Sequence, residues 1–139
     1  MKIPPMFDLS EKIALVSGAS RGIGAAIAQT LADFGANVIL TSRRIENLKE
    51  VESRIKASGK KALCIACHNG ELREIEELFK KIQQNYGGLD ILVNNAATNP
   101  YYGPVIDAEE KAWEKTISVI LKGRFFMSQH AAILMREKG

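Results

Sequence analysis

The chain has 139 residues, 46% hydrophobic and 25% charged, with a formal net charge of +3. That length suffices for one domain with a buried core and is short for two. The composition is that of a globular protein rather than a disordered or fibrous one. Several charges fall in helical pairs with the acid first: Glu50 with Arg54, Glu52 with Lys56, Glu76 with Lys80, Glu77 with Lys81. This pattern belongs to solvated helix faces and argues against a nucleic-acid surface. No apolar run reaches the length of a membrane span. The start, Met1 to Lys12, carries Pro4, Pro5, Asp8 and Glu11 and no continuous apolar segment, so it does not read as a secretory signal. The expectation is a cytoplasmic protein with neither a membrane nor a nucleic-acid partner.

In chain order, Lys12 to Val16 is a short, nearly continuous apolar run, as a strand covered on both faces requires. Ser17-Gly18-Ala19-Ser20-Arg21-Gly22-Ile23-Gly24 follows, with the spacing Gly-x-x-x-Gly-x-Gly. Alone, these glycines are compatible with any tight strand–helix turn. Between a strand and a helix they can also bring bare backbone amides and a positive helix end onto a phosphate. From Ile23 the apolar residues Ile27, Leu31 and Phe34 make a helical stripe, alanines beside it allow close packing on a sheet, and Gly35 supplies the stop.

Ala36 to Thr41 reads as a second strand. A second helix runs from about Ile45 through Leu48, Val51 and Ile55 to near Gly59, and Ala62 to Cys67 is a third strand. A third helix carries Leu72, Ile75, Leu78, Phe79 and Ile82 and stops at Gly87-Gly88, before a fourth strand from Leu89 to Val93. Cys64 and Cys67 form a Cys-x-x-Cys, but residues three apart on a strand point to opposite faces, and neither His68 nor His130 stands at zinc-ligand spacing. They read as core residues, and no metal site is expected.

Asn99-Pro100 to Pro104 is a loop, and Asp107 with Glu110 suggests a capping box. A long helix then runs to about Arg136, carrying Trp113, Ile117, Leu121, Phe125 and Ala132. Strands alternating with helices imply right-handed crossovers and an α/β, Rossmann-type doubly wound parallel sheet of order 3-2-1-4. The glycine turn then lies at the carboxyl end of the first strand, where the order reverses and ligands bind.

Three stretches together resemble the short-chain dehydrogenase/reductase family, in register over essentially the whole chain: Gly18-Ala19-Ser20-Arg21-Gly22-Ile23-Gly24, Leu92-Val93-Asn94-Asn95-Ala96-Ala97, and Trp113 followed by Val119-Ile120-Leu121-Lys122-Gly123. Asn95 to Pro100 also looks like a branch of bacterial oxidoreductases and carbonyl reductases. The resemblance implies that Gly18, Gly22 and Gly24 shape a pyrophosphate turn and that Asn95 steadies the central strand and the adenosine side. The candidate cofactor residues are Gly18, Ser20, Arg21, Gly22, Ile23, Gly24, Ser42, Arg43, Asn69, Asn95 and Ala96. Where the family usually has an adenine-facing Asp, this chain has His68 followed by Asn69; His68 reads equally as a surface loop residue or a contact. A carboxylate after the second strand would repel a 2′-phosphate, but Thr41-Ser42-Arg43-Arg44 holds none, and Arg43, with Arg21, offers guanidinium groups. NADP(H) is therefore expected over NAD(H), the bland alternative being that Arg43 and Arg44 only solvate a helix start.

The family's chemistry is hydride transfer at a carbonyl or alcohol carbon, aided by a Ser and a Tyr-x-x-x-Lys, with an Asn in the long helix holding a water. Tyr86, Tyr101 and Tyr102 have Asp90, Val105 and Ile106 at the fourth position after them, and Ile120 stands where the Asn is expected. No catalytic residue is therefore assigned. Residues 1–139 are expected to be a single, truncated dinucleotide-binding domain, inactive alone, with self-association through the 108–138 helix. The alternative is a non-catalytic NADP(H)-binding or oligomerisation module.

Overall fold

The structure, a computed structural model, describes residues 3–139. Four apolar runs form one parallel sheet: β1 (Ile13–Ser17), β2 (Asn37–Ser42), β3 (Ala62–Ala66) and β4 (Ile91–Val93), in the order β3-β2-β1-β4. Leu15 of β1 pairs with Ile39 on one side and Leu92 on the other. Every residue of β1 is buried, as the central strand of a sheet covered on both faces must be.

The sheet carries α1 (Gly22–Asp33), α2 (Lys49–Ala57), α3 (Leu72–Tyr86), α4 (Glu110–Thr116) and α5 (Gly123–Lys138). Strand alternation sorts the core into two layers. Ala14, Val16, Val38 and Leu40 pack with Ala28 and Ala32 of α1 and with Val51 and Ile55 of α2. Leu15, Ile39 and Ile65 pack on the other face with Ile75, Leu78 and Ile82 of α3 and with Met127, Ala131 and Leu134 of α5. Cys64 falls in the first layer and Cys67 in the second, both as free thiols. Burial pushes their pKa values up to about 11 and about 12, which leaves both as unreactive thiols at neutral pH. Among the described residues no cluster of potential metal ligands occurs, and no helix is long and apolar enough to cross a membrane.

Several local expectations are corrected. The buried stripe of α1 is Gly24, Ala25, Ala28 and Ala32, while Ile23 is 75% exposed. The sheet takes the small residues because they allow the closest approach of helix to strand, leaving Ile27 and Leu31 half-buried at the margin. The second helix opens with a 3-10 turn over Ile45–Leu48. β4 begins at Ile91 rather than Leu89, because the Asp90 carboxylate takes the Ile13 N–H in place of a ladder carbonyl. Of the four helical ion pairs, Glu52–Lys56 at 2.8 Å and Glu76–Lys80 at 3.1 Å form. Glu50–Arg54 and Glu77–Lys81 are not among the ion pairs of the described residues; Lys80 takes Glu77 instead. Glu52 is not solvated but buried, bridging Lys49 and Lys56.

The long C-terminal helix is present, with two differences. Asp107 lies in a separate 3-10 turn, Val105–Asp107, and the residue capping α4 is Glu109, without a side-chain bond, so the Asp107–Glu110 capping box does not form. Between α4 and α5 the backbone stays helical but widens into a π-helical segment, Ile117–Lys122. The buried stripe is Val119, Gly123, Met127, Ala131 and Leu134, whereas Trp113, Leu121 and Phe125 face outward. Two apolar stripes compete on this helix, and the sheet takes the one containing Gly123. A Cβ at Gly123 would collide with the carbonyl oxygen of Asn69, so only that face approaches the loop after β3.

Candidate functional site

The carboxyl ends of β1 and β4 diverge into two loops that are bonded to each other. Ser17, the last residue of β1, is fully buried. Its hydroxyl donates to the Val93 carbonyl at 3.1 Å and accepts the N–H groups of Asn95 and Ala96, each at 3.0 Å. The Asn95 side-chain amide returns the connection, donating to the carbonyls of Ser17 at 3.0 Å and Gly18 at 3.1 Å. These bonds satisfy buried backbone groups that the end of the strand pairing leaves open.

Gly18 adopts φ 68°, in the left-handed region that turns the chain out of β1 at no steric cost. Gly24 has a different task. A Cβ there would overlap the Gly18 carbonyl and stand 2.5 Å from Asn95 Nδ2. The missing side chain lets α1 begin directly against the clamp. Arg21 precedes α1 without a side-chain cap, and the first turn holds no acid. The N–H groups of that turn and its positive dipole end are of a kind that can take an anion.

Beside this helix start lies a cleft of about 280 Å³, lined by Gly18, Ser20, Arg21, Ser42, Arg43, Cys67, His68, Asn69, Asn95, Ala96, Ala97, Thr98, Lys115 and Val119. An adjoining hollow of about 910 Å³ is walled by Ser20, Arg21, Ser42, Arg43, Arg44, Glu46, Asn47 and Glu50. Arg21, Arg43 and Arg44 make it cationic, although Glu46 and Glu50 also reach it. Among the described residues none of the three arginines makes an ion pair.

Asn69 is 5% exposed and its Nδ2 has no partner among the described residues. It is a buried donor in the wall of the cleft, which is where a ligand acceptor would satisfy it. Its loop is well fixed. The His68 N–H donates to Glu74 at 2.7 Å, His68 Nδ1 accepts the Gly70 N–H at 3.0 Å, and Ser118 donates to the Gly70 carbonyl at 3.1 Å.

Of the residues expected in the site, Gly18, Ser20, Arg21, Ser42, Arg43, Asn69, Asn95 and Ala96 line one cleft. Gly22 and Gly24 shape the helix start behind it, and the Ile23 side chain points to solvent, so only its backbone can serve. His68 does line the cleft. Sequence reasoning left out Ser17, the hub of the clamp, and its signal was a lone hydroxyl ending an apolar strand. It also left out Lys115 and Val119, which reach the cleft from the long helix with no sequence signal to connect them to it.

A parallel α/β sheet with an uncapped, glycine-shaped helix start at its switch point defines the class of open-sheet proteins that hold a phosphorylated ligand above the strand ends. The family profile for short chain dehydrogenases matches residues 12–139, and this chain belongs to that family of oxidoreductases. It is 37% identical over 131 residues to dehydrogenase/reductase SDR family member 4 of Sus scrofa, covering 94% of this chain and 47% of that protein. A metagenomic short-chain oxidoreductase solved in complex with NADP superposes with TM-score 0.88 at 37% identity, over 93% of this chain and 58% of that one. L-sorbose reductase of Gluconobacter frateurii, solved with NADPH and L-sorbose, superposes with TM-score 0.90 at 28% identity, over 96% and 51%. The chain thus spans about half the length of the proteins it matches.

Proposed function

We propose that residues 1–139 form a single, incomplete dinucleotide-binding domain, the cofactor-holding half of an NADP(H)-dependent short-chain oxidoreductase of the carbonyl/alcohol class. One observation carries the reading: Ser20 and Arg21, which lead into an uncapped α1 pressed onto the Asn95 clamp through Gly24, line both the cleft and the arginine-walled hollow. The pyrophosphate of a dinucleotide would lie on the N–H groups of Gly22, Ile23 and Gly24, with Gly18 and Ser20 beside it. Asn69 would give its free amide donor to the base, while Arg43, with Arg21 and Ser42, would meet the 2′-phosphate. Asn95 and Ala96 would wall the adenosine side from the end of β4, in the same cleft as Asn69. When bound, the nicotinamide ring supplies or takes a hydride at the substrate carbon.

These residues would hold the cofactor and transfer no proton. Tyr86, Tyr101 and Tyr102 have no Lys four residues on, and Ile120 offers an alkyl group where the resemblance calls for an amide. Residues 1–139 alone are therefore expected to show no dehydrogenase turnover. The preference for NADP(H) is supported by the three unpaired arginines and opposed by Glu46 and Glu50 in the same hollow. Calorimetric titration with NADPH and NADH decides it: NADPH should bind more tightly, and Arg43→Ala should remove about tenfold of that advantage while leaving NADH affinity nearly unchanged. Equal or tighter NADH binding by the parent chain would overturn the preference.

The second reading, a non-catalytic NADP(H)-binding or oligomerisation module, is favoured by the outward face of the long helix. Trp113, Leu121 and Phe125 are 69%, 63% and 62% exposed on that face. Self-association through the 108–138 helix belongs to both readings, since such a face is more stable covered than wet.

A further inference from the structure

The loop after β3 spends its acceptors on the protein and keeps donors for the cleft. The Glu74 carboxylate takes the His68 N–H at 2.7 Å, the His68 carbonyl takes the Glu71 N–H at 2.9 Å, and the Gly70 carbonyl takes the Ser118 hydroxyl at 3.1 Å. The Asn69 carbonyl is turned onto Gly123, where a Cβ would collide with it. The donors are placed differently. His68 Nδ1 accepts the Gly70 N–H at 3.0 Å, so the neutral ring carries its proton on Nε2 and donates from there. Asn69 is 5% exposed, and its Nδ2 has no partner among the described residues. Lys115 makes no ion pair among those residues. His68, Asn69 and Lys115 all line the cleft, and no Asp or Glu does.

Such a lining bears on which base the cleft takes. Adenine shows a 6-amino donor beside its ring acceptors, whereas a 6-oxopurine shows an acceptor at the same place. The Asn69 amide holds one donor group and one acceptor and can pair with either edge, so by itself it does not choose. The groups around it weigh against the amino edge: with no carboxylate in the lining, a 6-amino group meets donors, while a 6-oxo group can satisfy them. We infer that the base end of this cleft does not select adenine, and that a dinucleotide carrying hypoxanthine in its place binds as tightly as NADPH or more tightly, with Asn69 as the residue that meets the base edge. This rests on the dinucleotide reading of the cleft. It concerns the base alone and leaves the phosphates and the nicotinamide as they are.

Calorimetric titration of the 139-residue chain with NADPH and with its deaminated analogue, which differs only in carrying hypoxanthine, tests this. The two dissociation constants should agree within about threefold or favour the analogue, and a larger preference for NADPH would overturn the inference while leaving the dinucleotide reading intact. If the chain binds neither ligand, the dinucleotide reading itself fails and the inference with it. Asn69→Asp is the second measurement. It replaces the amide by an acceptor-only carboxylate of nearly the same shape, so the 6-amino group gains a partner and the 6-oxo group faces a negative charge. The ratio of the two affinities should move toward NADPH by about tenfold. An unchanged ratio in a variant that keeps the parent denaturation midpoint would show that Asn69 does not meet the base. The first comparison uses the parent chain alone, so it decides the base preference even if the variant does not fold.

Discussion

The side-chain amide of Asn95 lies against the empty side of Gly24, so close that a single added methyl would meet Asn95 Nδ2 at 2.5 Å and overlap the Gly18 carbonyl. Two segments 71 positions apart in the chain are thereby made one surface, with the Asn95 amide spent on the Ser17 and Gly18 carbonyls. Nothing in that arrangement can give way cheaply, because the obstructing atoms are backbone and a hydrogen-bonded amide.

Gly24→Ala should therefore force α1 off the clamp. The expected cost is about 1–3 kcal/mol of stability, the usual range for overpacking, together with loss of measurable NADPH binding. Urea denaturation and a cofactor titration on the same sample check both. Unchanged stability would mean that the helix start is free to shift.

Ser17→Ala removes the one acceptor shared by the Asn95 and Ala96 N–H groups. Ser17 is fully buried; the Asn95 N–H keeps the Val93 carbonyl at 3.1 Å but the Ala96 N–H loses its acceptor, and the loss should be about 1–3 kcal/mol. The decline should appear as a lower denaturation midpoint with an unchanged slope.

Asp90 ties β4, β1 and the end of α5 together. It accepts the Ile13 N–H at 2.8 Å and the Lys138 ammonium, with Lys12 at 3.7 Å. Burial alone would raise its pKa, but the bonds from Lys138 and Ile13 and the charges of Lys138 and Lys12 outweigh burial and hold it below the usual carboxylate range. A carboxyl depressed in the folded state contributes stability that is present above its unfolded pKa of about 3.9 and lost as pH falls through the lower, folded value. Denaturation midpoints followed from about pH 6 to about pH 3 should fall less steeply in Asp90→Asn than in the parent chain. Parallel declines would show that Asp90 does not contribute to acid sensitivity.

The outward face of the long helix predicts association. Leu121→Ser with Phe125→Ser should shift the sedimentation profile toward monomer and leave the denaturation midpoint of the monomer nearly unchanged, since both side chains are exposed. A parent chain that sediments as a monomer at all concentrations would refute the interface.

The β3-β2-β1-β4 order was legible because each strand is a short apolar run bounded by glycine or polar residues, and each helix between them follows a 3.6-residue stripe. The glycine turn was legible because bare backbone at a strand–helix junction is a requirement of local geometry, whereas Asn95 was legible only through the family resemblance, its clamp joining segments far apart in the chain. Where two apolar stripes shared one helix, the pattern could not choose between them. The Trp113–Ile117–Leu121–Phe125 spacing is as regular as the Val119–Gly123–Met127 spacing that the core took. The π-helical widening at Ile117–Lys122 also had no signature in residue type.

By itself the amino-acid order determined the alternation of strands and helices, the sharp turn at Gly18, and a glycine-shaped helix start with no acid in its first turn, because these depend on propensities and contacts within a few residues. Tertiary structure alone decided which face of the long helix meets the sheet, that Glu52 is buried between two lysines, that Ser17 is the hub joining β1 to β4, and that Arg124 reaches the Ala96 carbonyl. Those are outcomes of close packing between segments far apart in the chain. There the deciding quantity is the space a side chain leaves, as at Gly24 and Gly123, rather than the preference of any residue for a helix or a strand.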